Sequence, residues 1–110
     1  MKRYCQILTL PNDAEKIAKY KEAHAHPWPE INAGIREVGI LDMQIFMHEN
    51  VAFMIMDTTD DVDFQADNAR LMTLPRQMEW EAYVSEMQGK DPNAPSTDKW
   101  QLMERVFKLT

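Results

Sequence analysis

Between Leu41 and His48 the chain alternates. Leu41, Met43, Ile45 and Met47 point one way, and Asp42, Gln44, Phe46 and His48 the other. A period of two is the mark of a strand with two unlike faces. Glu49-Asn50 reads as a hairpin turn into Val51 to Asp57, a strand apolar on both faces. Arg3 to Leu10 reads as an earlier strand, stopped by Pro11, and Trp100 to Leu109 as a last one. Elsewhere the spacing lengthens. Ile17, Tyr20 and His24 fall at i, i+3 and i+7, which predicts a helix. Asn12 suits its cap, with Asp13 and Glu15 in the first turn, where the dipole favours acids. His26-Pro27-Trp28-Pro29 interrupts this helix, because proline removes a donor and pushes its predecessor out of helical geometry. Pro29 begins a second helix carrying Ile31, Ile35 and Val38 on one face, and Gly39 ends it. Thr59 or Asp60 caps another helical region, which breaks near Leu74-Pro75. It resumes with Trp80, Tyr83, Val84 and Met87 on one face, and Gln88 to Lys99 is a loop by composition.

The resulting order is β-α-β-β-α-β, with both helical regions interrupted. That is a ferredoxin-like α+β arrangement in one domain spanning residues 1–110. Helices cover one face of such a sheet, yet Val51–Asp57 is apolar on both. The chain is too short to cover the second face itself. A second copy packing sheet against sheet answers the pattern, so a homodimer is expected.

Composition then removes whole classes of function. The 110 residues include 12 basic and 18 acidic side chains, a net charge of −6. Nucleic-acid binding needs a basic surface, so no nucleic-acid partner is expected. Only three glycines are present, Gly34, Gly39 and Gly89. Phosphate-binding loops need several close together, which argues against nucleotide chemistry. Cys5 is the single cysteine, which fits a reducing compartment and excludes an internal disulfide. The longest apolar run, Val51 to Met56, is far short of the roughly 20 residues of a membrane span. Lys2-Arg3 imitates a signal-peptide start, but Gln6, Thr9 and Pro11 interrupt the apolar stretch that an export signal needs. The expectation is a cytoplasmic protein without a membrane partner. The nine methionines sit mostly at core positions and read as adaptable filler.

Tyr20 and His24 are the leading candidates for chemistry. Four residues apart, they project from one helix face. An imidazole titrates near neutrality and a phenol can donate or relay a proton, a pair suited to acid–base catalysis. Held structurally, the same two side chains would make only hydrogen bonds. His24 and His26, with His48 or Asp57, form a candidate metal set, but the prolines after His26 turn the chain away and no second ligand group follows. Trp28, fixed between prolines, either lines a pocket or plugs two helices, and Trp80 either covers an apolar ligand face or anchors the core. Asp42, Gln44, His48, Asp57, Glu104 and Arg105 offer polar groups on the strands to a polyhydroxylated ligand, or else stand on solvated strand edges.

The run Tyr20-Lys-Glu-Ala-His24-Ala-His-Pro-Trp28-Pro29-Glu30-Ile31 resembles the L-rhamnose mutarotase family, in the pattern Tyr-x3-His-x3-Trp-Pro-Glu. Gly39, Trp80 with Tyr83, and Glu104-Arg105-Val106-Phe107 match in order and spacing. The resemblance spans nearly the whole chain. It implies a cofactor-free, metal-free enzyme that interconverts the α and β anomers of 6-deoxy-L-hexoses, built as a dimeric α/β barrel. It implies catalytic roles for Tyr20 and His24 and places the indoles of Trp80 and Trp28 near the sugar. From the polar strand face, Gln44 and Glu104 are expected to bind the sugar as well. Met43 stands where rhamnose-specific members carry tyrosine, and Trp80-Glu81 where they carry Trp-Trp. Met43-Gln44-Ile45, Lys99-Trp100 and Met103-Glu104-Arg105 are similar to members associated with L-fucose. The reaction is expected to be proton transfer alone. The competing reading is a dimeric ferredoxin-like small-molecule binder or cofactor-independent monooxygenase.

Overall fold

The computed structural model describes residues 1–110. Strand β1 (Lys2–Thr9) leads into helices α1 (Ala14–Ala25) and α2 (Pro29–Glu37), then strands β2 (Ile40–His48) and β3 (Val51–Thr58). Helices α3 (Phe64–Leu71), α4 (Gln77–Gln88) and the one-turn α5 (Ser96–Lys99) precede β4 (Gln101–Leu102). The strands form one antiparallel sheet in the order β2-β3-β1-β4, the ferredoxin-like arrangement. No helix is long and apolar enough to cross a membrane.

The starts and stops of the helices differ locally from the expectations. Asp13, not Asn12, caps α1, and its carboxylate accepts from the backbone of Glu15 at 2.9 Å and Lys16 at 3.2 Å. Asp63, not Thr59 or Asp60, caps α3. Its carboxylate accepts from Ala66 N at 2.8 Å while Asp67 reaches back to Asp63 N at 2.9 Å, a reciprocal cap that Thr59 and Asp60 do not make. Pro29 occupies the first turn of α2 and Gly39 follows it at φ 96°. The stretch expected as a loop from Gln88 to Lys99 keeps Gln88 in α4 and forms α5 at its end.

The sheet has two unlike faces. Leu8, Ala52, Met54, Met56 and Ile40 meet Tyr20, Ile31, Leu71, Trp80, Val84 and Met87 in one core beneath the helices. The register places Cys5, Ile7, Phe53, Ile55 and Phe46 on the opposite face, which no helix covers. Two strand expectations need correction. Leu41 does not join Met43, Ile45 and Met47: Ile40 pairs with Thr58 and Asp42 with Asp57, so Leu41 is an inserted bulge residue, 58% exposed. The last strand does not run from Trp100 to Leu109. It pairs only Gln101 and Leu102 with β1, and Met103 N adds one bond to Cys5 O at 2.8 Å. A strand persists only where a neighbour takes its hydrogen bonds. Past Met103 the chain runs off the β1 edge, and residues 103–110 are exposed.

Candidate active site

A cavity of about 430 Å³ lies between the sheet and the helices. Small-molecule sites fall in this size range. Tyr20 and His24 enter it from α1, Met43 and Ile45 from β2, and Trp80 and Glu81 from α4. Helical spacing accounts for the first pair: one turn of α1 brings the two rings to 4.3 Å between centroids, tilted at 44°.

The environment separates their protonation states. His24 Nδ1 lies 2.8 Å from the Tyr20 carbonyl. A carbonyl only accepts, so Nδ1 carries a proton and Nε2 of the neutral ring carries the free lone pair. Nε2 makes no hydrogen bond within the protein and is not sealed from solvent. Burial lowers the His24 pKa below its ordinary value, against a smaller raising effect of the Tyr20 carbonyl. Tyr20 is 1% exposed and its hydroxyl has no hydrogen-bond partner. Burial pushes the phenol pKa up, opposed by nearby Gln88 and reinforced by the Glu81 charge. A neutral base and a protonated phenol thus share one wall.

Aromatic rings extend that wall. Trp80 meets His24 edge-on at 5.6 Å and Trp28 edge-on at 5.1 Å, and Trp28 stacks on Tyr83 at 5.6 Å. The Arg76 guanidinium lies 4.0 Å over the Trp28 ring. Trp80 lines the cavity, whereas Trp28 stands behind it and buttresses it.

The other expected ligands are not gathered here. Gln44 lies on the uncovered sheet face, exposed, with its amide on Asp42 at 2.9 Å. The period-two alternation that buries Met43 and Ile45 turns Gln44 away from the cavity of its own chain. Glu104 is in the exposed segment past β4. Asp57 is on the Gln44 face in a two-bond pair with Arg3, at 2.7 and 2.9 Å. The histidines also separate. His26 is on the surface 3.3 Å from Glu22, and His48 is on the far side of the sheet from His24. No cluster of three or more His, Cys, Asp or Glu has metal-binding spacing.

Three residues at this wall escape sequence reasoning as site residues. Gln88, Glu81 and Ser85 are all buried, and the first two line the cavity. With Gln77 they fall at i, i+4, i+8 and i+11 along α4. A polar stripe at helical spacing ordinarily reads as the solvated face. Here Lys99 gives the stripe its counter-charge. Its Nζ donates to Glu81 Oε1 at 3.0 Å and to Ser85 Oγ at 2.5 Å. No local signal in the sequence marks the pair, because Lys99 lies 18 residues from Glu81.

A family model described as L-rhamnose mutarotase matches residues 3–109. The L-fucose mutarotase of Xanthomonas campestris pv. campestris is 34% identical over all of this chain and 90% of that protein. The L-rhamnose mutarotase of Flavobacterium johnsoniae is 29% identical over 83% of this chain and 81% of that protein. Among solved structures, the L-rhamnose mutarotase of Formosa agariphila superposes over the full length of both chains with a TM-score of 0.74 at 22% identity. Tetracenomycin F2 cyclase from Streptomyces glaucescens, a type-II polyketide cyclase, gives 0.51 at 21% identity, covering all of this chain and 98% of that one. These two likenesses establish the fold.

Proposed function

Because this chain belongs to the L-rhamnose mutarotase family, we propose that it interconverts the α and β anomers of a 6-deoxy-L-hexose, L-fucose or L-rhamnose. One observation carries the reading: a histidine with a free Nε2 lone pair beside an unpartnered buried phenol, in one cavity. A non-catalytic binder or a monooxygenase is not favoured by these relatives.

The chemistry follows from the two protonation states. His24 Nε2 removes the proton of the anomeric hydroxyl. Tyr20 donates a proton to the ring oxygen as the C1–O5 bond breaks, leaving an aldehyde at C1 and a hydroxyl on C5. The aldehyde rotates about C1–C2. The C5 hydroxyl then attacks the other carbonyl face, returning its proton to Tyr20 while the imidazolium protonates the new anomeric oxygen. Proton balance closes without another reactant. Trp80 covers an apolar CH or methyl face of the sugar, with Trp28 holding its ring in place.

The same reading includes a homodimer formed through the uncovered sheet face. Its support is the apolar strip there, with Phe46 53% exposed, and the segment past β4, whose Val106 and Phe107 are 88% and 76% exposed. Gln44 and Glu104 act on sugar in this reading only if they serve the site of the second copy. Cys5, the lone free thiol, fits a reducing, cytoplasmic setting.

Saturation-transfer NMR of the L-fucose and L-rhamnose anomers tests the function directly. Protein should speed exchange of at least one sugar, and the ratio of rates gives the preference. Binding of either sugar without faster exchange contradicts the reading.

A further inference from the structure

The walls of the cavity hold two buried polar atoms that the reaction does not satisfy together. Tyr20 Oη and Gln88 Oε1 both lack a hydrogen-bond partner, and Gln88 is 3% exposed. Gln88 is near enough to perturb the phenol, yet no hydrogen bond forms between them. A buried acceptor left unpaired is destabilising, because it has lost its water and gained nothing in return. Such a group in a cavity marks where a ligand donor goes. Glu81 stands on the same wall and engages only Oε1, through Lys99, so a second carboxylate oxygen remains for a ligand. Lys99 itself does not line the cavity; it and Ser85 hold Glu81 from behind. Pairing makes the buried carboxylate tolerable, since an isolated one would take up a proton.

We propose that Gln88 and Glu81, with Lys99 as positioning residue, form a hydroxyl-accepting subsite that selects sugars with an axial hydroxyl beside the ring oxygen. This rests on the mutarotase reading, in which Tyr20 meets the ring oxygen. A group adjoining Tyr20 therefore meets whatever flanks that oxygen. In a pyranose chair an equatorial hydroxyl on C2 or C4 is anti to the ring oxygen, and an axial one is gauche to it. L-Fucose has its axial hydroxyl on C4 and L-rhamnose on C2, both on the same ring face. 6-Deoxy-L-glucose has neither. Gln88 Oε1 and the free Glu81 oxygen are both acceptors, which suits a hydroxyl that gives its proton away, and the amide and carboxylate share that task.

The test compares kcat/KM for anomer exchange on L-fucose, L-rhamnose and 6-deoxy-L-glucose. The wild-type protein should prefer at least one axial-hydroxyl sugar over 6-deoxy-L-glucose. Gln88→Met should lower that ratio about tenfold, the effect of one lost hydrogen bond. Because Lys99→Met alone strands a buried charge, the paired variant Glu81→Met/Lys99→Met is the second arm, and the ratio should fall there as well. A wild-type protein that speeds exchange of none of the three overturns the mutarotase reading and the subsite with it. A working wild type without the preference overturns the subsite alone. So do variants that leave the ratio intact or lower all three sugars in proportion.

Discussion

The Tyr20 carbonyl decides what His24 can do. Bound to Nδ1–H, it leaves Nε2 as the acceptor and resists rotation of the ring. His24→Ala should therefore lower catalysed anomer exchange by about 10²–10⁴-fold while circular dichroism shows the fold retained. Unchanged exchange would remove His24 from the reaction. The pH dependence has a definite sign. Burial holds the His24 pKa below its ordinary value of about 6.5. The neutral base is then present at and above neutrality and is lost as pH falls through that lowered pKa. The acid limb of kcat/KM should have its midpoint below pH 6.5 or so, and a midpoint above that value contradicts the assignment. His24 should act on stability in the same direction. Its contribution is present above its unfolded pKa and is lost on acidification toward the folded one. Tyr20 begins each turnover protonated across this pH range, because burial shifts its pKa upward.

At the scale of elements, the cavity keeps its width because α2 and α4 are clamped. Gln77 Nε2 donates to the Glu30 and Ile31 carbonyls, both at 3.2 Å, at close approach to Gly34. A Cβ built on Gly34 would collide with that amide nitrogen. Gly34→Ala should cost about 1–3 kcal/mol, read as a lower urea midpoint at unchanged m. A midpoint within error of the wild type would show that the clamp yields without cost. Helix α4 is also where hydrophobic pattern alone misleads. Trp80, Val84 and Met87 are buried on one side, and the Gln77, Glu81, Ser85 and Gln88 stripe is buried as well. Tyr83, expected with the apolar face, is 42% exposed and stacks on Trp28.

For the whole molecule, the architecture turns on what covers the second sheet face. Ile7, Phe53 and Phe46 are neighbours in register across three strands. An aspartate at Phe53 would place a charge at the centre of any interface there. The wild type should sediment as a dimer and Phe53→Asp as a monomer. A monomeric wild type would overturn the dimer reading and leave the chemistry of His24 untouched.

Element order, the ferredoxin-like topology and the pairing of Tyr20 with His24 were all legible in the chain. Each depends on local periodicity, and periodicity is a property of neighbours in sequence. Which of two sheet faces holds a given side chain is local too, so Gln44 opposite Met43 follows from alternation once the core face is known. The Leu41 bulge, the short β4 and the buried polar stripe of α4 were not legible. Each depends on groups far apart in the chain: the register of β2 on β3, the partner available to β4, the reach of Lys99 to Glu81. Tertiary structure alone decided these, because a hydrogen bond or a counter-charge from a distant element can reverse what a local pattern favours.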